Sequence, residues 1–240
     1  MGIRETSRYV WGGRLADAMR HLNNRHPWSH NDAFHPWIAT QLPTRRGSAL
    51  DVGCGRGELL AVLAQHFDRV RGIDIDPEMR QASARRCAGL SNVSVDATGI
   101  DDLPPGIDLI TMVAVLHHLD LDRALERVHQ LLNPGGRFLC VGLARPDSLA
   151  DYAWDLASMV TNPVIGYVRH PWPSLQPPGP EPFPIRDPTL TFDQIRAAVE
   201  RVLPGATMQR HLGFRHTIAW TKPKAITHCH APREAHRAAP

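Results

Sequence analysis

Between Ser48 and Leu143 the apolar residues follow two rhythms. Short apolar runs at Ala49 to Val52, Arg69 to Asp74, Val93 to Asp96, Ile107 to Val113 and Arg137 to Leu143 predict strands, several of them apolar on both faces. Segments with helical period at Glu58 to Phe67, Pro77 to Ala88 and Leu121 to Leu132 predict helices between them. Pro77 suits the first turn of its helix, and Pro134-Gly135-Gly136 is expected to stop the last one. The predicted order is β-α-β-α-β-β-α-β, the pattern of a parallel sheet covered on both faces.

After Ala144 the rhythm changes. A helical period from about Asp147 to Val160 leads into Asn162 to Pro188, where nine prolines mix with Tyr167, Trp172 and Phe183. Such a stretch cannot be a core helix and is too apolar for a plain linker, so an ordered cover is expected. Helical period returns over Thr191 to Leu203, and Ala206 to Gln209 and Phe214 to Thr221 predict two strands paired antiparallel through a turn at Gly213. Residues up to about Arg46 predict two short helices separated by His26 to Asn31, with Trp11, Trp28, Phe34 and Trp37 among them, whereas Lys222 to Pro240 is polar and unpatterned. The expected fold is α/β: a Rossmann-like, doubly wound sheet of seven strands, mostly parallel with an antiparallel carboxyl-terminal strand. An amino-terminal helical lid (1–46), a core domain (47–222) carrying the aromatic and proline-rich insertion (145–190), and a disordered tail (223–240) divide the chain.

Composition narrows the class. At 240 residues, 42% hydrophobic and 21% charged, the chain suits one globular domain with appendages. It has no run of about 18 apolar residues that could span a bilayer. The first thirty residues carry Arg4, Arg8, Arg14 and Arg20 but no apolar centre, so no secretory signal is expected and the cytoplasm is the expected location. Cys54, Cys87, Cys140 and Cys229 show no short pairing spacing and are expected to be reduced thiols. The net charge of +3 rests on arginine, and pairs such as Arg45-Arg46 and Arg85-Arg86 stay isolated, so no nucleic-acid surface is expected.

The chemistry concentrates in Asp51-Val52-Gly53-Cys54-Gly55-Arg56-Gly57, at the end of the first predicted strand. Glycines there let a backbone approach a ligand closely. A dinucleotide fingerprint needs its third glycine where Glu58 stands, which argues against a nicotinamide cofactor. Asp51 places a carboxylate under the turn, which would repel a pyrophosphate and welcome an ammonium or sulfonium. Asp74 ends the second strand, where a carboxylate can accept both hydroxyls of a ribose; Ile75 follows and could pack on a purine face. Asp96, in Val95-Asp96-Ala97, could accept from an exocyclic amine. Together these residues describe an adenosine with a cationic amino-acid tail.

The run from Leu50 to Gly142 resembles the class I S-adenosylmethionine-dependent methyltransferases, most of all the bacterial quinone and small-molecule methyltransferases. The motifs that carry the resemblance are Leu50 to Gly57, Gly72-Ile73-Asp74-Ile75-Asp76-Pro77-Glu78-Met79, Asp96-Ala97, Val115-Leu116-His117-His118-Leu119 and Leu132-Asn133-Pro134-Gly135-Gly136-Arg137, in the family's order. The resemblance implies S-adenosyl-L-methionine as cofactor and methyl transfer to a small organic acceptor, quinone-like or a specialised metabolite. It implies that Asp51, Gly53, Cys54, Gly55 and Gly57 hold the methionine end and Asp74 the ribose. Ile75 would flank the adenine, Asp96 and Ala97 meet its amine, and Val113 offers a carbonyl to the cofactor's amino group. His30, Asn31, Phe34, His35 and Trp37 would belong to a lid, and His117 and His118 are the candidate catalytic pair.

Other readings of the same residues stand beside these. The glycine turn with Asp74 also suits another nucleotide, and a protein of this fold could bind the cofactor without turnover and regulate a partner. His117 and His118 serve equally as structure at the mouth of the site, and Trp154, Tyr167 and Trp172 as acceptor-pocket lining or as packing of the cover. His228-Cys229-His230, with His216 and His236, could suggest a metal, but they fall in or beside the unpatterned tail and no metal is expected. Cys54 is read as packing. Met112-Val113-Ala114-Val115 stands where amine methyltransferases acting on flipped bases carry an Asn/Asp-Pro-Pro-Tyr turn, which argues against that substrate class.

Overall fold

The computed structural model describes residues 31–148, 151, 187–211 and 215–224. Seven strands form one sheet: β1 (Ser48–Val52), β2 (Arg69–Ile73), β3 (Val93–Asp96), β4 (Ile107–Val113), β5 (Leu132–Gly142), β6 (Thr207–His211) and β7 (Arg215–Thr221). Their spatial order is β3-β2-β1-β4-β5-β7-β6. All pairings are parallel except those of β7, which runs antiparallel to β5 and to β6. The described helices are α1 (His35–Thr40), α2 (Glu58–Leu63), α3 (Pro77–Arg86), α4 (Leu121–Leu131) and α5 (Phe192–Val202). The predicted doubly wound sheet with a single reversed strand is therefore the observed one.

Strand alternation sorts the core into two layers. Leu50, Val52, Ile110, Met112, Phe138, Cys140, Ile218 and Trp220 pack with Leu125 and Val128 of α4 and Ile195 and Val199 of α5. Ala49, Leu109 and Leu139 point the other way, against Leu59, Leu60 and Leu63 of α2 and Ile38 of α1. The helix starts are locally encoded. Asp76 accepts from the amides of Glu78 and Met79 at the head of α3, Asp120 from Arg123 at the head of α4, and Thr191 forms a capping box with Gln194 at the head of α5.

Several boundaries differ from the sequence reading by one or two residues, and three differences bear on how the chain turns. The helix expected to run to Phe67 ends at Leu63, and the chain leaves it in tighter turns, with His66 N donating to Leu63 O at 2.9 Å. Pro134-Gly135-Gly136 does not separate a helix from a strand, because β5 already begins at Leu132 and the triplet is an irregularity within it. Gly135 there has φ +80, and a Cβ on Gly136 would lie 2.9 Å from Asn133 O, so the glycines allow the chain to bend without leaving the sheet. The second strand stops at Ile73, one residue before Asp74. The helix expected from Asp147, the Asn162 to Pro188 cover, the first of the amino-terminal helices and the tail lie outside the described residues, apart from residues 147, 148, 151, 187 and 188 of the insertion and 222–224 of the tail.

A buried acid at the far edge is structural. Asp108 accepts from Gly47 N and Ser48 N at 2.9 and 3.1 Å and from Asn133 Nδ2 at 2.6 Å, tying the starts of β1, β4 and β5 together. The functional edge is the opposite one. After β3 the chain crosses back to place β4 on the other side of β1, and the crevice at the carboxyl ends of β1 and β4 is where such sheets bind ligands.

Candidate active site

The glycine turn leaves β1 at this crevice. Gly53, Gly55 and Gly57 have φ of +69, +54 and +80, a conformation that side-chain-bearing residues adopt only with strain. Gly53 N and Cys54 N both donate to Ile73 O, at 2.7 and 3.1 Å, which folds the turn over the end of β2. A Cβ on Gly53 would meet Val115 Cγ2 at 2.2 Å, and one on Gly57 would meet Ser83 Oγ at 2.5 Å. Cys54 is buried there as a thiol, pushed up to about 12 first by burial and then by the charge of Asp51, so it packs and is not a nucleophile.

Asp51 lies beneath the turn with only 3% of its surface exposed. Its register partner Thr111 on β4 donates Oγ1 to its Oδ1 at 2.7 Å. Burial raises its carboxyl to about 7; the Thr111 hydrogen bond opposes that rise, and the charge of Asp74 adds to it. An acid held this way gains from a cation placed above it. Each oxygen of Asp74 accepts from one backbone amide: Oδ2 from Gly55 N and Oδ1 from Asp76 N, both at 2.9 Å. It thereby links the glycine turn to the start of α3, and Arg80 Nη1 donates to the carbonyls of Asp74 and Ile75 at 2.9 Å to hold the same corner. Ile75 is 95% exposed, an apolar side chain standing in solvent beside the crevice.

Asp96, at the end of β3, is held from both sides. Arg71 Nε donates to Oδ2 at 2.8 Å and Thr98 N to Oδ1 at 2.8 Å, and the Arg71 hydrogen bond chiefly draws the carboxyl down to about 2. Arg71 was not singled out from the sequence. It comes within reach because Arg71 on β2 pairs in register with Ser94 of β3, two residues before Asp96, a pairing that no spacing in the sequence states.

The turn after β4 carries a feature invisible to residue type. Ala114 has φ +58, the one described non-glycine residue with positive φ, and its amide donates to Val141 O at 2.7 Å. That left-handed step sends Val115 back over Gly53 and places Leu116–His118 in a single 3₁₀ turn. His117 and His118 therefore stand together at the carboxyl edge, their ring centroids 4.1 Å apart. His117 reaches a cavity of about 380 Å³, measured out to its open mouth, that also touches Gly142 and His216.

Of the expected lid, Asn31 Oδ1 accepts from Arg215 Nη2 at 3.1 Å, and Phe34 meets His211 edge-on at 5.3 Å between centroids. The structure thus brings these two residues to the β6 and β7 end of the crevice. His35 opens α1, Trp37 packs on the layer beneath α2, and His30 lies outside the described residues. His228, Cys229, His230 and His236 also lie outside them, and among the described residues no group of three metal-ligating side chains occurs. No described helix is long and apolar enough to cross a membrane.

The arrangement fits a cofactor with a cationic centre and a ribose. The cradle would be filled by any Cβ on Gly53, and the buried Asp51 is short of a counter-charge. The comparisons agree. Residues 50–138 match the model of a family described as a methyltransferase domain. An uncharacterized methyltransferase of Mycobacterium tuberculosis is 32% identical over 200 residues, covering 82% of this chain and 98% of its own. A demethylmenaquinone methyltransferase of Symbiobacterium thermophilum is 29% identical over 143 residues, covering 55% of this chain and 56% of its own. In fold, the chain is similar to the geranyl diphosphate C-methyltransferase of Streptomyces coelicolor A3(2), with a TM-score of 0.57 at 13% identity over 90% of this chain and 88% of that one.

Proposed function

The chain belongs to the class I S-adenosylmethionine-dependent methyltransferases, and from that premise we propose that it methylates a small organic acceptor, quinone-like or a specialised metabolite, bound at the carboxyl edge over β4, β5 and β7. The observation that carries this reading is the buried Asp51 beneath a glycine turn at the crossover of the sheet.

When bound, the cofactor supplies an activated sulfonium methyl, so little covalent chemistry falls to the protein. Its residues have to bind, align and exclude water. Asp51 and the turn at Gly53, Cys54, Gly55 and Gly57 would hold the methionine end, where the carboxylate gains a counter-charge. Asp74, with its oxygens already fixed by two amides, would present its remaining lone pairs to the ribose hydroxyls. Ile75 would cover the adenine face, which accounts for an apolar side chain left in solvent. Asp96 and Ala97 would meet the adenine amine, the carboxylate oriented by Arg71 and Thr98. Val113, one residue before the left-handed Ala114, would direct its carbonyl to the cofactor's amino group.

Asn31, Phe34 and His35, with His30 preceding them, would close over the bound pair, and His117 and His118 would face the acceptor. Proper alignment of nucleophile and methyl is the main source of rate in such a site. Residues 47–222 form the catalytic domain on this reading, with 1–46 as lid, 145–190 as acceptor cover and 223–240 as tail. Relatives named demethylmenaquinone methyltransferase and ubiquinone biosynthesis O-methyltransferase support the acceptor class.

Calorimetric titration of the full chain with S-adenosylmethionine and S-adenosylhomocysteine tests the reading. Saturable heat from both is expected, and no heat from either at high protein concentration would overturn it.

A further inference from the structure

A single buried imidazole distinguishes the cavity beside His117. His216, the second residue of β7, is 2% exposed, and its Nε2 has no hydrogen-bond partner among the described residues. It stands in register with Gly142 of β5, and a Cβ on Gly142 would lie 2.4 Å from that Nε2. The missing side chain is what lets the ring edge lie across β5. Gly142 and His216 both line the cavity, and Leu116, Leu143, Leu190 and Ile195 make most of the remaining wall apolar.

We propose that this cavity binds an apolar ring compound bearing one weakly acidic hydroxyl, and that the hydroxyl donates its hydrogen bond to Nε2 of His216. The proposal rests on the methyltransferase reading above, since it makes that compound the methyl acceptor; His216 is its positioning residue.

A buried polar atom without a partner is costly, and a ligand that satisfies it recovers that cost on binding. Burial first, and then the charges of Arg215 on β7 and Arg210 on β6, with smaller effects of His211 and His117, hold the imidazole down to about 4. It is therefore neutral near pH 7 and, with its proton on Nδ1, offers a lone pair at Nε2. The same positive surroundings favour loss of a proton from a hydroxyl placed there. A permanently charged headgroup would have to be desolvated among leucines, whereas a neutral hydroxyl would not. The mouth is shaped by two strands of chain that meet there: Arg145 N donates to Leu190 O at 2.7 Å and Arg145 pairs with Thr191. The two ends of the 145–190 insertion are thus fastened at the rim.

The test uses 2-naphthol as probe and naphthalene as control, titrated into the full chain with and without saturating S-adenosylhomocysteine. The naphthol should bind at least about ten-fold more tightly than naphthalene, the effect of satisfying one buried acceptor. His216→Phe should narrow that ratio to about two-fold while S-adenosylhomocysteine affinity stays unchanged. Histidine-selective ¹⁵N spectra of the unaltered protein give an arm that needs no variant: the His216 Nε2 signal should move on addition of naphthol and stay put on addition of naphthalene. Equal affinity for the two probes, no binding of naphthol, or a His216 signal that naphthol does not move overturns the proposal. Absence of S-adenosylhomocysteine heat in the same titrations would instead overturn the methyl-donor reading, and the naphthol ratio would still decide the cavity.

Discussion

The two halves of the carboxyl edge are built on opposite plans. Around β1, β2 and β3 the polar groups are tied down before any ligand arrives: Asp74 by the amides of Gly55 and Asp76, Asp96 by Arg71 and Thr98, Asp51 by Thr111. Around β5 and β7 the wall is apolar and the imidazole of His216 keeps an unpartnered nitrogen. The first half is a rigid mould for a ligand of one shape, made largely from backbone amides and short side chains. The second is a cavity with one polar anchor, whose fit depends on side-chain size.

The halves also carry opposite responses to pH, and the largest predicted effects exploit them. Asp51, raised from an ordinary 3.8 to about 7, disfavours folding increasingly as pH climbs from 3.8 through 7, because the unfolded chain gives up that proton first. Once ionised it opposes folding by about 4 kcal/mol. Asp51→Asn should therefore raise the stability of the ligand-free protein at pH 8 by up to that amount in denaturant titration, and at the same time weaken S-adenosylmethionine binding. A variant less stable than the parent at pH 8 would show that Asp51 is not an uncompensated acid.

His216 acts with the other sign. Lowered from an ordinary 6.5 to about 4, it contributes stability that is present above 6.5 and lost as pH falls through 4, worth about 3 kcal/mol. His216→Gln should flatten the acid limb of the stability profile between pH 4 and 6.5 and leave the limb belonging to Asp51 in place. Unaltered acid sensitivity would break the contrast between the halves.

Smaller effects sharpen it. Asp74→Ala should weaken S-adenosylhomocysteine binding by about 2 kcal/mol, roughly thirty-fold, since it removes a charged acceptor and releases Gly55 N and Asp76 N; calorimetry reads it directly. It should not alter 2-naphthol affinity in the absence of the cofactor product. Arg71→Met removes a half-exposed ion pair and should change stability by about 0.5 kcal/mol or less, with a modest loss of affinity confined to adenine-containing ligands.

What could be read in advance divides along the same line. The half around β1, β2 and β3 is one nearly continuous stretch, so its logic is local: Asp51 and three glycines within seven residues, Asp74 just after the next strand, Asp76 capping the helix after it. The half around β5 and β7 joins His117, Gly142, Leu190 and His216, far apart in the chain, and no spacing rule connects them. His216 had been set only beside a metal reading of the tail. A finer signal was present, for His216, Ile218 and Trp220 alternate along β7 and the last two enter the core, so a histidine at the first such position faces inward. The irregularity at Pro134-Gly135-Gly136 eluded the reading for another reason: proline and glycine mark a break, but whether a break ends an element or bends it depends on the pairing available, and β4 holds Leu132 in the sheet.

The sequence by itself determined the order of strands and helices, the reversal of β7, and the chemistry of the first ligand, because apolar period, capping residues and glycine conformations act over a few residues. Only the tertiary structure decided the left-handed step at Ala114, the clasp of Arg71 on Asp96, and the meeting of Gly142 with His216. Those depend on which strands lie side by side and on what burial removes from water, and neither property belongs to any single stretch of chain.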